Sequence, residues 1–279
     1  MNRARLSLRF FAPLCALATA CACAPRVEAP NDLEGLARFF WAQGLEVSDA
    51  DLDDAVGNTH AVLSDLLTDG AAKVGSLSRL DREDLETVGL ADKNDPSGAP
   101  GLFLANRFLC DIDILDDVLA SLRQTELHPG VYDAYERTYR DDDEGWLAAD
   151  TGILTWDTEY AATPTATQYR ATSRSRIRKV PRGAASVGPS LVQQTWLLDP
   201  ATFDGSPDDH VFDQDYQAEL YYQGDDSEVW HLYGLWRFMQ LGIVSSYDDA
   251  FINFQLDGMI QWDEQTEAVC ATWPELPGA

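Results

Sequence analysis

Lysine is nearly missing from this chain of 279 residues: only Lys73, Lys93 and Lys179 occur, and all basic residues together number 20 against 47 acids. The resulting formal charge of −27 repels phosphate backbones and anionic headgroups, which argues against nucleic acid or an anionic lipid surface as a general partner. Histidine is scarce as well. His60, His128, His210 and His231 show no metal-ligand spacing, so neither metal nor cofactor is expected. There is no G-x-S-x-G elbow, no phosphate-binding glycine loop and no paired-cysteine motif, and no catalytic residue is assigned.

The acids fall in clusters, among them Asp49, Asp51, Asp53 and Asp54, then Asp141, Asp142, Asp143 and Glu144. The stretch DADLDDAVGNTH from Asp49 places acids at positions 1, 3 and 5 of a calcium loop. Asp54 stands where that loop needs glycine, however, and His60 where it needs a bidentate glutamate. Ser48 followed by Asp51 reads instead as a helix cap. The clusters are read as solvated faces.

Cysteine is rare and oddly placed: of five, three (Cys15, Cys21, Cys23) lie at the end of an apolar leader. Arg3, Arg5 and Arg9 precede the run from Phe10 to Ala20, and small residues lead into Cys21, the layout of an export signal. The run is too short for a spanning helix, which needs about 20 apolar residues. ATAC, from Ala18 to Cys21, resembles the lipobox of bacterial lipoproteins, with Leu17 one place further from the cysteine than is usual. The resemblance implies removal of residues 1–20 and acylation of Cys21, with Cys23 as a second candidate. Ala22, in place of an aspartate, implies sorting to the outer membrane. Loss of three arginines then takes the formal charge from −27 to −30.

In the body of the chain only Cys110 and Cys270 remain. In an exported protein they are candidates for a disulfide, the alternative being two independent buried thiols.

After a tether at 21–30, periodicity divides the sequence. Residues 31–145 read as mainly helical: Asn31 with Glu34 suggests a cap ahead of Leu33, Leu36, Ala37 and Phe40. A second helix spans 49–67, a third 78–90, and Ile112, Leu115, Val118, Leu119 and Leu122 mark another. LFLANRFL, from Leu102, is either strand or helix. From 146 to 279 the period is two, through Leu154, Trp156, Thr158 and Tyr160, then Tyr216 to Tyr222, then the returning EVWHLYGLWRFM, and finally Ile252, Phe254, Leu256, Ile260 and Trp262. About six strands are expected. The fold class is therefore α+β: a helical half packed on a curved antiparallel sheet or small barrel. A helix-grip lipid-binding fold is set aside, because it resembles a sheet wrapped on a long C-terminal helix and only 16 residues follow Asp263.

Arg170, Arg174, Arg176 and Arg178 share one face of a strand. They form either an anion site or a ladder of ion pairs with acids such as Asp215 and Glu219. Tyr216, Tyr222, Trp236 and Trp262 are the candidate lining of an apolar ligand site, with ordinary sheet core as the competing reading. Two functions survive. One is a non-enzymatic envelope lipoprotein, held on the membrane by its anchor, that binds a lipid, another amphipathic ligand or an envelope protein. The other is a secreted hydrolase using Asp215 and Glu219, although two carboxylates at i and i+4 of one strand lie about 13 Å apart. If Cys21 carries lipid, Cys21→Ser moves the protein from the membrane to the soluble fraction and abolishes fatty-acid labelling; unchanged labelling contradicts the lipobox reading.

Overall fold

The computed structural model describes residues 26–90, 93, 95–149, 152–164, 166–184, 188–205, 208–224 and 227–273. Cys21 and the leader lie outside these. Helix α1 (Leu33–Ala42) opens on Asp32, whose carboxylate accepts from Gly35 N–H, one residue later than the sequence pattern suggests. Helix α2 (Asp49–Leu66) is capped by Ser48, and the short α3 (Arg82–Thr87) by a reciprocal box between Asp81 and Asp84. Two strands interrupt this first half, β1 (Lys73–Leu77) and β2 (Gly101–Leu109), so the ambiguous LFLANRFL is extended. Then follow α4 (Ile112–Ala120), α5 (Gln124–Leu127), β3 (Ala134–Tyr139) and α6 (Asp143–Leu147). Five long strands come next: β4 (Gly152–Ala162), β5 (Tyr169–Val180), β6 (Ser190–Phe203), β7 (His210–Gln223) and β8 (Glu228–Leu241). The short β9 (Val244–Ser245) folds back on β8, and α7 (Asp249–Thr272) closes the chain.

Among the described residues all strands join one antiparallel sheet of nine, in the order β1-β2-β8-β7-β6-β5-β4-β3, with β9 on β8. The sheet is curved and larger than the six strands expected, because β1, β2 and β3 come from the half read as helical. Register shifts between Arg170 and Ser173 and between Phe212 and Gln214 mark bulges, which sharpen the bend of the strands that carry them.

The two faces have different partners. On one, α1, α2 and α3 cover a core in which Trp41 meets Tyr216 and Trp236 at ring distances of 5.6 and 6.4 Å. Gly101 is required here: a Cβ would stand 2.7 Å from the Trp236 indole nitrogen. On the other face lie α4, α6 and α7, over Leu154, Trp156, Ile177 and Tyr221.

The segment 249–272 corrects the sequence reading most. It is a 24-residue helix and not a strand, so the sheet does wrap a long C-terminal helix, the arrangement set aside above. Its buried positions Phe251, Gln255, Leu256, Met259, Asp263, Thr266, Val269 and Cys270 follow a helical stripe, but three of the eight are polar. An apolar-only count therefore misses the stripe.

Cys110, just past β2, is joined to Cys270 in the last turn of α7, with Cα atoms 5.4 Å apart at a sequence separation of 160. A loop of that length constrains the unfolded chain by about 4–5 kcal/mol in the entropic account. Replacing both cysteines with serine should lower the free energy of unfolding by about 2–5 kcal/mol in denaturant titration; a change under about 0.5 kcal/mol would show that the bridge does not limit stability.

Candidate functional site

Between the sheet and α7 lies a cavity of about 590 Å³. Alternation along the strands decides its floor: Thr158 on β4, Ser173 and Ser175 on β5, Gln193 and Thr195 on β6, Asp215, Gln217 and Glu219 on β7 all point the same way. Aromatic and sulfur side chains, including Trp156, Tyr160, Tyr169, Met239 and Met259, supply the rest of the wall. The mouth is framed by exposed Gly130 and Asp133 before β3, Thr163 after β4, and Phe254, Asp257 and Gly258 on α7. The floor is thus polar and the rim and flanks aromatic, which suits an amphipathic molecule better than a plain hydrocarbon.

The floor is electrostatically prepared. Arg237 on β8 is bidentate to Asp215 at 3.0 Å for both bonds and also donates to Gln255 of α7 at 3.2 Å. Gln217 donates to Asp215 at 2.8 Å and accepts from the Tyr233 hydroxyl at 2.9 Å. Glu219 accepts from Tyr221 at 2.5 Å and from Gln193 at 3.0 Å. Gln193 Oε1, on the cavity wall, has no hydrogen-bond partner.

Behind Glu219 is fully buried His231. Its Nδ1 lies 2.9 Å from Asp263 of α7, its Nε2 3.5 Å from Glu219, and Tyr221 stacks on its ring at 4.0 Å. Asn106 of β2 donates to the same Asp263 at 2.9 Å. Burial opposes charge on His231, but the carboxylates of Asp263 and Glu219 outweigh it and hold the imidazole pKa up to about 9. His128 is its opposite. It is buried against Trp262 with rings 3.6 Å apart, its Nε2 is 3.1 Å from the Thr266 hydroxyl, and burial pushes its pKa down to about 4.

Of the residues singled out in the sequence, only Trp262 among the four aromatic candidates reaches the cavity. Tyr216, Tyr222 and Trp236 are on the opposite face, in the core beneath α1 and α2. Arg174, Arg176 and Arg178 also face that way and are ion-paired: Arg174 with Asp157 at 2.7 Å, Arg176 with Glu46 at 2.8 Å, Arg178 with Asp49 at 2.5 Å. The partners are not the expected Asp215 and Glu219, which lie across the sheet in the cavity. Arg237 holds Asp215, and Tyr221 and Gln193 hold Glu219. Among the described residues no group of three or more His, Cys, Asp or Glu is arranged to hold a metal, and no helix is long and apolar enough to cross a membrane. Arg237 and His231 belong to the aromatic-rich hairpin that the sequence offered as a possible ring-lined pocket; Arg137 and Gln193 were missed. The one usable signal was polar residues on the strand positions opposite the large aromatics.

Comparison of the sequence with models of known families and with curated proteins finds no match. Among solved structures, a START superfamily protein from Mycobacterium smegmatis aligns with 63% of this chain and 99% of its own, at 6% identity and a TM-score of 0.40. Human STARD10 aligns with 72% of this chain and 83% of its own, at 10% identity and 0.41. Dicamba monooxygenase aligns at 13% identity and 0.42, over 64% of this chain, which spans about half (51%) of that one.

The two histidines set opposite limbs of the stability profile. The unfolded imidazole value is about 6.5. His231, raised, contributes fully below that and loses its contribution as pH climbs through about 9; His128, lowered, contributes above 6.5 and loses it as pH falls toward about 4. Unfolding midpoints measured across pH should therefore decline on both sides of neutrality. His231→Gln should flatten the alkaline limb, and an unchanged alkaline limb in that variant would contradict the charged assignment.

Proposed function

We propose that this chain is a binding protein, anchored by lipid on Cys21 in a bacterial envelope, that holds one amphipathic small molecule between its sheet and α7. The carrying observation is the cavity itself, at about 590 Å³ within the range of small-molecule sites and lined by apolar rings around a few convergent polar groups. A molecule with an apolar or planar body and hydrogen-bonding substituents matches it. Placement in the outer membrane rests on the signal-like leader and Ala22, and membrane attachment on the lipobox resemblance. An exported location also suits a disulfide between Cys110 and Cys270.

The entrance offers a direct test. Gly258 stands in the middle of α7, where glycine costs about 0.5–1 kcal/mol relative to alanine. A Cβ built there meets nothing within 4 Å, so the position stays open toward the mouth. Residues 24–279 contain every described element, and in that form native mass spectrometry followed by solvent extraction should reveal a co-purified small molecule. N-phenylnaphthylamine, an uncharged aromatic probe, should gain fluorescence on binding. Gly258→Ala should stabilise the fold slightly and keep the probe, whereas Gly258→Trp should weaken it at least about tenfold. No co-purified molecule, together with no probe binding to the unaltered chain, would overturn the proposal.

A further inference from the structure

We infer that the molecule held in this cavity is an organic anion whose acidic group pairs with Arg137, an inference that rests on the binding reading above and narrows its ligand class. Arg137, on edge strand β3, lines the cavity and is half-buried. It stands out because of what surrounds it. In a chain with 47 acids and 20 basic residues, the other cavity arginine, Arg237, and the sheet arginines 174, 176 and 178 all have a carboxylate within 4 Å. Arg137 has none among the described residues. Its guanidinium instead lies over Trp156 at 4.4 Å, Tyr135 at 5.5 Å and Tyr139 at 5.9 Å.

Its hydrogen bonds hold it without neutralising it. Nε and one terminal nitrogen donate to the Tyr135 hydroxyl at 2.9 and 2.5 Å, and the other donates to the Leu119 carbonyl at 2.6 Å and to Tyr139 at 3.5 Å. All these acceptors are uncharged. A guanidinium has five N–H groups in a fixed fork; these bonds engage four of them, so one N–H remains for an incoming acceptor. Half-buried, aromatic-clamped and lacking a carboxylate partner, the side chain is preorganised to offer its charge and its remaining N–H to an oxygen of a carboxylate or similar anion. The carboxylates nearest in function do not compete: Asp215 is held by Arg237, Glu219 by Tyr221 and Gln193, and Asp133 at the mouth accepts from Thr163 and Gln168. The unpartnered Gln193 Oε1 further along the floor accepts a hydroxyl or amide donor from the same ligand.

The test compares two probes of one aromatic body, uncharged N-phenylnaphthylamine and anionic anilinonaphthalene sulfonate, by fluorescence titration of residues 24–279 at physiological salt. In the unaltered chain the anion should bind more tightly than its neutral counterpart, although the net charge of the protein repels it. Arg137→Gln should weaken the anion by about tenfold or more, the usual scale of a charge-assisted bond, and leave the neutral probe within about twofold. Arg137→Lys, which keeps the charge but not the fork, should recover part of the loss, an effect that a merely structural role would not produce. Arg176→Gln, on the opposite face, should change neither. If the unaltered chain prefers the neutral probe, or Arg137→Gln weakens both equally, the anion inference is overturned while the cavity stands. If neither probe binds, both fall.

Discussion

The imidazole of His231, enclosed between Glu219 on the sheet and Asp263 on α7, is the contact on which the arrangement of this molecule turns. Three ionisable groups removed from water are costly unless each finds its partners, and removing one member of such a set commonly costs about 3–5 kcal/mol. The constraint is therefore geometric as much as energetic. Asp263 can meet both His231 and Asn106 only at one rotation and one height of α7, so the network fixes the register of the helix on the sheet. Gln255 with Arg237 and Thr266 with His128 repeat the same logic one to two turns to either side, and the bridge from Cys110 to Cys270 pins the far end.

Held in this way, the helix stands away from the middle strands and leaves the cavity. A helix seated by apolar contacts alone would settle onto the sheet until the gap closed, since packing favours close contact over voids. Here the helix-facing floor is lined by hydroxyls, amides and an Arg–Asp pair, which apart from Gln193 Oε1 find most of their partners along the sheet and do not call for an apolar cover. The same polar pairing that positions α7 thus also gives the cavity its mixed character.

The opposite face shows the contrasting solution. Trp41, Tyr216, Trp236 and Tyr222 fill the space beneath α1 and α2, and the arginines of β5 lie at the margin of that core with their heads on Asp157, Glu46 and Asp49. One arginine, Arg174, with Arg140, holds the Asp157 carboxyl below its ordinary pKa. Large aromatics and a row of cations on one face of the sheet are thereby absorbed into structure, while their strand neighbours one residue away face the cavity side.

Local pattern alone determined the α+β class, the helix at 49–66 with its Ser48 cap, the helix at 112–120, the long strands from Gly152 to Leu241 and the alternation that gives each its two faces. These depend on residues close in sequence. Which face looks inward on a cavity is not local, because alternation is symmetric between the two sides and only the position of α1 and α7 breaks the symmetry; Tyr216, Tyr222 and Trp236 accordingly went to the solid core and Trp262 to the cavity. The helical state of 249–272 was hidden for a related reason. Its buried stripe uses Gln255, Asp263 and Thr266, whose burial is acceptable only because Arg237, His231 and His128 await them from elements distant in the chain. Tertiary structure decided the site, since a polar residue can count as interior only once its partner has been brought beside it.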